Sequence, residues 1–517
     1  MTVIFFIIPV LFVAREIIKY TSYFCHAIPC NMYKALLFVL CVFASTGAAY
    51  SQPFYPNDMI PKKEILDSMV NEYLQLSGTV GMSVAIAGRE TLYYSGEFGY
   101  ANKEKGERVN PFTLFRIASV SKILTGSLLA VMVDKGIIDL DKPINSYLQK
   151  PVPYGDVITA RMLATHTAGI RHYQDNDFRL KNIDGKRYTT LESALGIFIK
   201  DPLVAPPGEL YNYTSYGYTL LGVVMEAASG RPFLRTMHNM LEALDMCHTE
   251  PNHPDSLITD DSQLYSINKS GAAVRQKILR PSYKWPGGGY LSNALDLAKF
   301  GQHHLRKSFL SEKGFEVLFT RNKTNKGDTL GIGLGWIIAQ DSWNRRVFFH
   351  NGSQTGGRSV LMVYPDEGLT IAVLSNTTNQ PILIEGFASS LIDVLLQQEA
   401  PLASEDSLAL SGTYDYILEE KNMPPRGEII INTNGDKSSL HGAVVPLPSS
   451  APSRLPIKAL HWHGQTLEGK IIAKEGILPI LLHRDEVGNL SGQLFLHDKQ
   501  EPKVVPVWLK KKVEQKP

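Results

Sequence analysis

Apolar and polar residues follow several different rhythms along this chain, and each change of rhythm marks a part of it. Two apolar runs come first, Val3 to Ala14 and Ala35 to about Ala49. Both fall short of the roughly 20 residues that a bilayer crossing needs. The second follows Met32-Tyr33-Lys34 and ends in small residues, the layout of a secretory signal, and cleavage after Ala49 or Ser51 fits it. Met32 is the working start on this reading. Residues 1–31 are then an upstream extension and 32–51 a signal peptide, with a retained short anchor as the alternative. Downstream, Pro61 opens a predicted helix with Ile65, Met69 and Tyr73 on one face. Strand-like runs at Met82 to Ala87 and Leu92 to Phe98 flank Gly88-Arg89-Glu90 and predict a hairpin. A helix over about 119–135 carries a stripe of Leu124, Leu128 and Met132 and stops at Gly136.

The middle of the chain reads as helices with long loops, clearest at Leu220 to Ala228 and Ala294 to His304. Strand patterns return at Val347 to His350, Ser359 to Tyr364 and Leu369 to Leu374, and a helix over about 382–397 closes the unit. Strands at both ends with helices between them predict an α+β fold: one antiparallel sheet built from distant segments, flanked by helices, plus a helical lobe. We place this domain at 57–398. After Ala400 the chain turns to short alternating strands, such as Gly427 to Asn432, Leu478 to His483, Leu490 to Leu496 and Val504 to Leu509. Asn434-Gly435 and Gly488-Asn489 are turn signals, and Pro446 to Pro456 reads as a loop. Residues 405–512 are therefore expected to form a small antiparallel β-domain, with a barrel as one candidate form.

Composition adds exclusions. At 517 residues the chain is too long for one compact core. A net charge of +2 offers no basic groove for nucleic acid, and Lys510-Lys511-Lys512 reads as a solvated terminus. Cys25, Cys30 and Cys41 fall in or before the leader, which leaves Cys247 alone and no metal-ligand spacing. Neither an internal disulfide, a metal nor a cofactor is expected.

The chemistry lies in Ser119-Val120-Ser121-Lys122. Residues three apart share a helix face. A serine hydroxyl attacks well only when a neighbouring base takes its proton. A lysine can be that base when burial lowers its pKa from about 10.4, and Val120, Ile123 and Leu124 make burial plausible. A helix start also favours an oxyanion. Ser-x-x-Lys alone is weak, arising by chance about twice in a chain this long. A second copy, Ser266 to Lys269, lies in a turn-rich stretch without a helical stripe. Pro207 to Tyr218 is dense in aromatics and leads into a helix. Tyr213 there is either a proton shuttle, its phenol acidified by a nearby ammonium, or packing. His350-Asn351-Gly352 ends a strand, where the glycine would admit a ligand backbone and the histidine is catalytic or structural. His461 and His463 alternate on one strand face with too few partners for a metal.

Phe115 to Lys122, Leu163 to Ile170, Pro207 to Gly222, Pro286 to Ser292 and His350-Asn351-Gly352 resemble, in that order, the class C β-lactamase-related serine hydrolases, which are penicillin-binding-protein-like. The resemblance covers roughly 60–398. Arg171-His172-Tyr173 and Ser282-Tyr283-Lys284-Trp285 look most like the mitochondrial serine β-lactamase-like branch, whose activity is peptidase. The resemblance implies a site between a helical lobe and an antiparallel sheet. In it Ser119 forms an acyl-enzyme, Lys122 and Tyr213 share the base and acid roles, and the backbone N–H groups of Ser119 and Ser353 bind the oxyanion. His350 would orient a substrate carboxylate or assist Tyr213. Ser215 and Gly352 would complete the binding surface. Two departures stand out: Tyr213-Thr214-Ser215 replaces Tyr-x-Asn, and His350-Asn351-Gly352 replaces Lys-Thr-Gly. Both weigh against efficient β-lactam hydrolysis. The expectation is an exported peptidase or amidase acting on a small peptide, amide or ester, with esterase next. A catalytically silent binding or scaffold protein is the alternative.

Overall fold

The computed structural model describes residues 60–253, 260–268, 270–277, 282–341, 345–380 and 384–396, then the eight C-terminal strands named below and Lys512. The extension, the leader and both expected C-terminal turn pairs lie outside the described residues.

The expected hairpin forms as β1 (Gly81–Gly88) and β2 (Leu92–Asn102). Every residue of β1 is buried, because the strand sits in the middle of a seven-stranded sheet. The remaining strands are β3 (Glu107–Arg108), β4 (Ile337–Gln340), β5 (Arg346–Gln354), β6 (Gly357–Tyr364) and β7 (Leu369–Ser375), in the order β3-β2-β1-β7-β6-β5-β4. β1 runs antiparallel to β7, from Met82 opposite Ser375 to Gly88 opposite Leu369. The sheet is complete only when segments from both ends of the domain meet, a non-local pairing that folds late.

The period of two divides the sheet's residues between two cores. Val84, Ile86, Val360, Met362, Ile371 and Val373 face helices α1 (Ile60–Ser77) and α5 (Ile384–Leu396). Ala85, Ala87, Leu361, Val363, Ala372 and Leu374 face the helical lobe, built around α2 (Ser121–Asp134), α3 (Ser215–Ser229) and α4 (Ala294–Arg306). Two expectations shift here. The inward face of α1 is Leu66, Val70 and Tyr73, while Ile65 is 41% exposed. The stacking of Tyr73 on Phe387 at 4.3 Å sets the helix rotation. On α2, burial is not confined to a stripe: Ile123, Thr125, Gly126, Ser127, Leu129 and Ala130 are buried as well. A helix enclosed on all sides is the central element of its lobe.

The C-terminal region forms a closed antiparallel barrel. Its strands are Gly412–Leu418, Gly427–Thr433, Leu440–Pro446, Leu455–His463, Thr466–Ala473, Gly476–Arg484, Leu490–His497 and Pro502–Lys511. The loop expected from 446 to 456 is shorter than anticipated, since Leu455 and Pro456 already pair with Val444 and Ala443. Closure leaves no unpaired sheet edge. No helix among the described residues is long and apolar enough to cross a membrane.

A Cβ on Gly126 would collide with the Leu334 carbonyl oxygen, whereas one on Gly136 (φ 67°) would meet nothing within 4 Å. Gly126→Ala is therefore expected to cost about 3 kcal/mol through overpacking. Gly136→Ala should cost only about 1 kcal/mol, from its left-handed backbone. Urea midpoints at constant m-value measure both.

Candidate active site

Ser119 does not begin α2. It sits one step earlier, in a single 3₁₀ turn, Ala118–Val120, closed by Val120 N–H donating to Ile117 O at 3.1 Å. Strand β5 presses against this turn at Gly352. A Cβ there would collide with Ile117 O and lie 3.0 Å from Ser119 N, and the Ser359 hydroxyl of β6 donates to the same Ile117 carbonyl at 2.6 Å. The bare Cα of Gly352 thus admits this chain's own serine turn, where the sequence had suggested a ligand's backbone.

Lys122, the second residue of α2, is fully buried. Its Nζ donates to Gly287 O at 2.6 Å and to Ser215 Oγ at 2.9 Å, and lies 3.2 Å from Ser119 Oγ. The Tyr213 and Tyr218 rings lie 4.8 and 5.4 Å from the same nitrogen. These hydrogen-bond partners are hydroxyls and a carbonyl, not carboxylates. Burial accordingly holds the amine well below its ordinary pKa.

Tyr213 donates its O–H to Ser119 Oγ at 2.8 Å. Burial pushes this phenol up to about 12, against the pull of the Ser119 and Ser215 hydroxyls. The shift runs upward, opposite to the acidification that a nearby ammonium would give.

His350 is buried, and its Nδ1–H donates to Asn351 O at 2.6 Å. Its ring centre lies 6.3 Å from that of Tyr213. Burial, then the neighbouring Lys122, lowers it to about 3, so it is a neutral ring. A cavity of about 230 Å³ opens beside Ser119, lined also by Ser215, Ser353, Gln354, Gly287 and Lys284. Lys122, Tyr213, Gly352 and His350 are not part of that lining. The structure therefore brings Ser119, Lys122, Tyr213, Ser215, Gly352 and Ser353 together, with the His350 ring near that of Tyr213.

Other candidates lie elsewhere. Ser266 is on a short strand, Tyr265–Ile267, where its hydroxyl accepts from Asn379; Lys269 lies outside the described residues. His461 and His463 belong to a barrel strand, and their side chains are outside the described residues. Lys284 had been given no role. Its Nζ donates to Gln354 Oε1 at 2.7 Å at the cavity wall, and burial lowers it to about 8 against the pull of Asp184. The Gly287 carbonyl was missed as well. The run Pro286-Gly287-Gly288-Gly289 was its signal: a Cβ on Gly287 would come 3.1 Å from Ser215 O.

A serine, a buried lysine and a tyrosine between a helical lobe and an antiparallel sheet define the class, and comparison gives the family. The chain belongs to the Beta-lactamase family, whose model matches residues 66–384, more than half its length. It is thus a member of the β-lactamase-fold serine hydrolases. Among its relatives, Serine beta-lactamase-like protein LACTB, mitochondrial, of Homo sapiens is 27% identical over 401 residues, covering 60% of this chain and 72% of that protein. Penicillin-binding protein 4* of Bacillus subtilis (strain 168) is 25% identical over 329 residues, 60% of this chain and 71% of that one. The octameric penicillin-binding protein homologue from Pyrococcus abyssi shares the fold with a TM-score of 0.57 at 21% identity, covering 86% of this chain and 99% of its own. A D-stereospecific amidohydrolase from Streptomyces sp. does so with a TM-score of 0.54 at 22% identity, over 65% and 98%.

An unfolded lysine keeps its proton up to about pH 10.4, whereas the buried amine of Lys122 has lost it well below that value. Between the two values the unfolded chain binds more protons, so stability rises with pH. Lys122→Met should remove this slope, which reaches about 1.4 kcal/mol per pH unit. Urea titrations from about pH 7 to about pH 10 read the difference between the two proteins. An identical slope in the variant would mean that the folded amine is charged.

Proposed function

We propose that this protein is an acyl-transfer hydrolase, a peptidase or amidase first and an esterase second, with Ser119 as nucleophile. The observation that carries the reading is the pair of contacts on one hydroxyl: Lys122 Nζ at 3.2 Å and the Tyr213 hydroxyl at 2.8 Å. A neutral amine has two N–H bonds and one lone pair. Gly287 O and Ser215 Oγ take the N–H bonds, which leaves the lone pair for the Ser119 proton. Ser119 Oγ then attacks a carbonyl held in the cavity, and the backbone N–H groups of Ser119 and Ser353 face the oxyanion. Tyr213 gives its proton to the departing amine. Ser215 accepts from Lys122, and its hydroxyl also acts on the Tyr213 phenol, so it is the group to return the proton from ammonium to phenolate. Water reverses these steps to release the acid.

The substrate class is a small peptide, amide or ester. His350 is neutral, so position 350 supplies no cation for an antibiotic's carboxylate. That speaks against efficient β-lactam hydrolysis. On the pattern of residues 32–51 we read the protein as acting outside the cytoplasm.

A fluorophosphonate probe should label the wild type and not Ser119→Ala. Tyr213→Phe should lower turnover of amides about a hundredfold or more, the scale of a lost general acid. Labelling that survives in Ser119→Ala would put the nucleophile elsewhere. Folded wild type that takes no label would make the protein a binding or scaffold member of its family. A panel of D- and L-peptides, esters and a chromogenic β-lactam then ranks the substrates.

A further inference from the structure

The segment that carries Tyr213 is held by two imidazoles that the reaction outlined above does not use. His166 is fully buried and has a left-handed backbone, φ 61°. Its carbonyl accepts from Asn212 N–H at 2.7 Å, and its Nδ1 accepts from Thr214 N–H at 3.1 Å. One residue therefore binds the backbone on both sides of Tyr213. The His166 ring also lies against the Tyr213 ring, 4.5 Å between centres. His172 repeats the arrangement one residue on: its Nδ1 accepts from Ser215 N–H at 3.1 Å, and its ring meets Tyr213 edge-on at 5.3 Å.

A backbone N–H can only donate. Both Nδ1 atoms must then present lone pairs, which fixes both rings as neutral Nε2–H tautomers. The surroundings agree. His166 faces Lys122, His350, His172 and the rings of Tyr211, Tyr213 and Tyr218. His172 faces Lys122, Arg171, Tyr173 and Tyr213. Burial is the largest cause that holds both imidazoles below their ordinary range, and the basic groups around them act in the same direction.

We infer that His166 and His172 are positioning residues that clamp the backbone and ring of Tyr213 so that its hydroxyl stays on Ser119 Oγ. The inference rests on Tyr213 being the acid of the proposed reaction. The backbone on either side of a tyrosine sets where its ring can reach, and a shift of about 1 Å at the reacting group can cost about a hundredfold in rate.

The test compares two leaving groups. Amide cleavage needs a proton on its departing amine; fluorophosphonate labelling releases fluoride and needs none. His166→Leu and His172→Leu should each lower kcat on a peptide p-nitroanilide tenfold to a hundredfold, on the order of the cost of misplacement. KM and the rate of Ser119 labelling should stay within about threefold, well below that misplacement cost. His166→Asn and His172→Asn keep an acceptor where Nδ1 stood, and asparagine tolerates the left-handed backbone at 166. Both should recover most of kcat. Added to Tyr213→Phe, neither leucine substitution should lower kcat further, because residues that act as a unit are not additive.

The inference is overturned if labelling falls in step with kcat, or if the asparagine variants are as slow as the leucine ones at equal folded fraction. Additive loss with Tyr213→Phe would overturn it as well. Full anilide turnover by Tyr213→Phe, with Ser119→Ala inactive, would instead remove the acid assignment on which it stands.

Discussion

A primary amine held where it cannot keep its charge is the constraint that shapes this molecule. Lys122 is stripped of water on all sides, and its hydrogen-bond partners are uncharged. An ammonium would need a carboxylate or water; an amine needs two acceptors and one donor. The site supplies that second set. To do so, α2 is buried on every face over residues 121–130, at the centre of the lobe. Gly126 lets Leu334 approach from one side, and the glycine run at 287–289 lets α3 approach from another.

The sheet contributes precision at one point. Ser119 is placed by contacts with β5 and β6 through Gly352 and Ser359, together with the N–H of Ser121, the first residue of α2, which donates to its turn. These strands come from the far end of the domain and meet β1 only through β7. The serine–lysine distance is therefore set jointly by a local turn and by the long-range closure of the sheet. Local geometry brings Lys122 near, and tertiary geometry decides whether Ser119 meets it.

Much of this was legible in the sequence. Period-two runs located β1, β2, β5, β6 and β7, and helical context separated Ser119–Lys122 from the chance motif at Ser266. What escaped depended on tertiary surroundings. The rotation of α1 turned on Tyr73 finding Phe387, which no local pattern encodes. The sense of the Tyr213 shift turned on the burial of its own phenol, which motif spacing does not carry. Gly287 acts through its carbonyl, and a backbone acceptor leaves no side-chain signature. His166 and His172 lay inside stretches that had been noted for resemblance alone. Their hydrogen bonds go to backbone N–H groups, so residue identity alone could not show what they hold.

The dryness around Lys122 sets a problem for the proposed reaction. Accepting the Ser119 proton would create an ammonium in a place where charge is unfavourable. The groups that fix the resting amine also answer this. The Gly287 carbonyl and the Ser215 hydroxyl already point at Nζ, and the faces of Tyr213 and Tyr218 stand beside it. Each interacts more strongly with a cation than with an amine. They are in position before the proton arrives, so no reorganisation is needed when it does. Three neighbouring imidazoles, His166, His172 and His350, are held neutral and add no competing charge. A lysine at position 350 would place a second ammonium beside the first and disfavour protonation of Lys122. On this argument the histidine found there suits a site whose working charge is the transient one on Lys122.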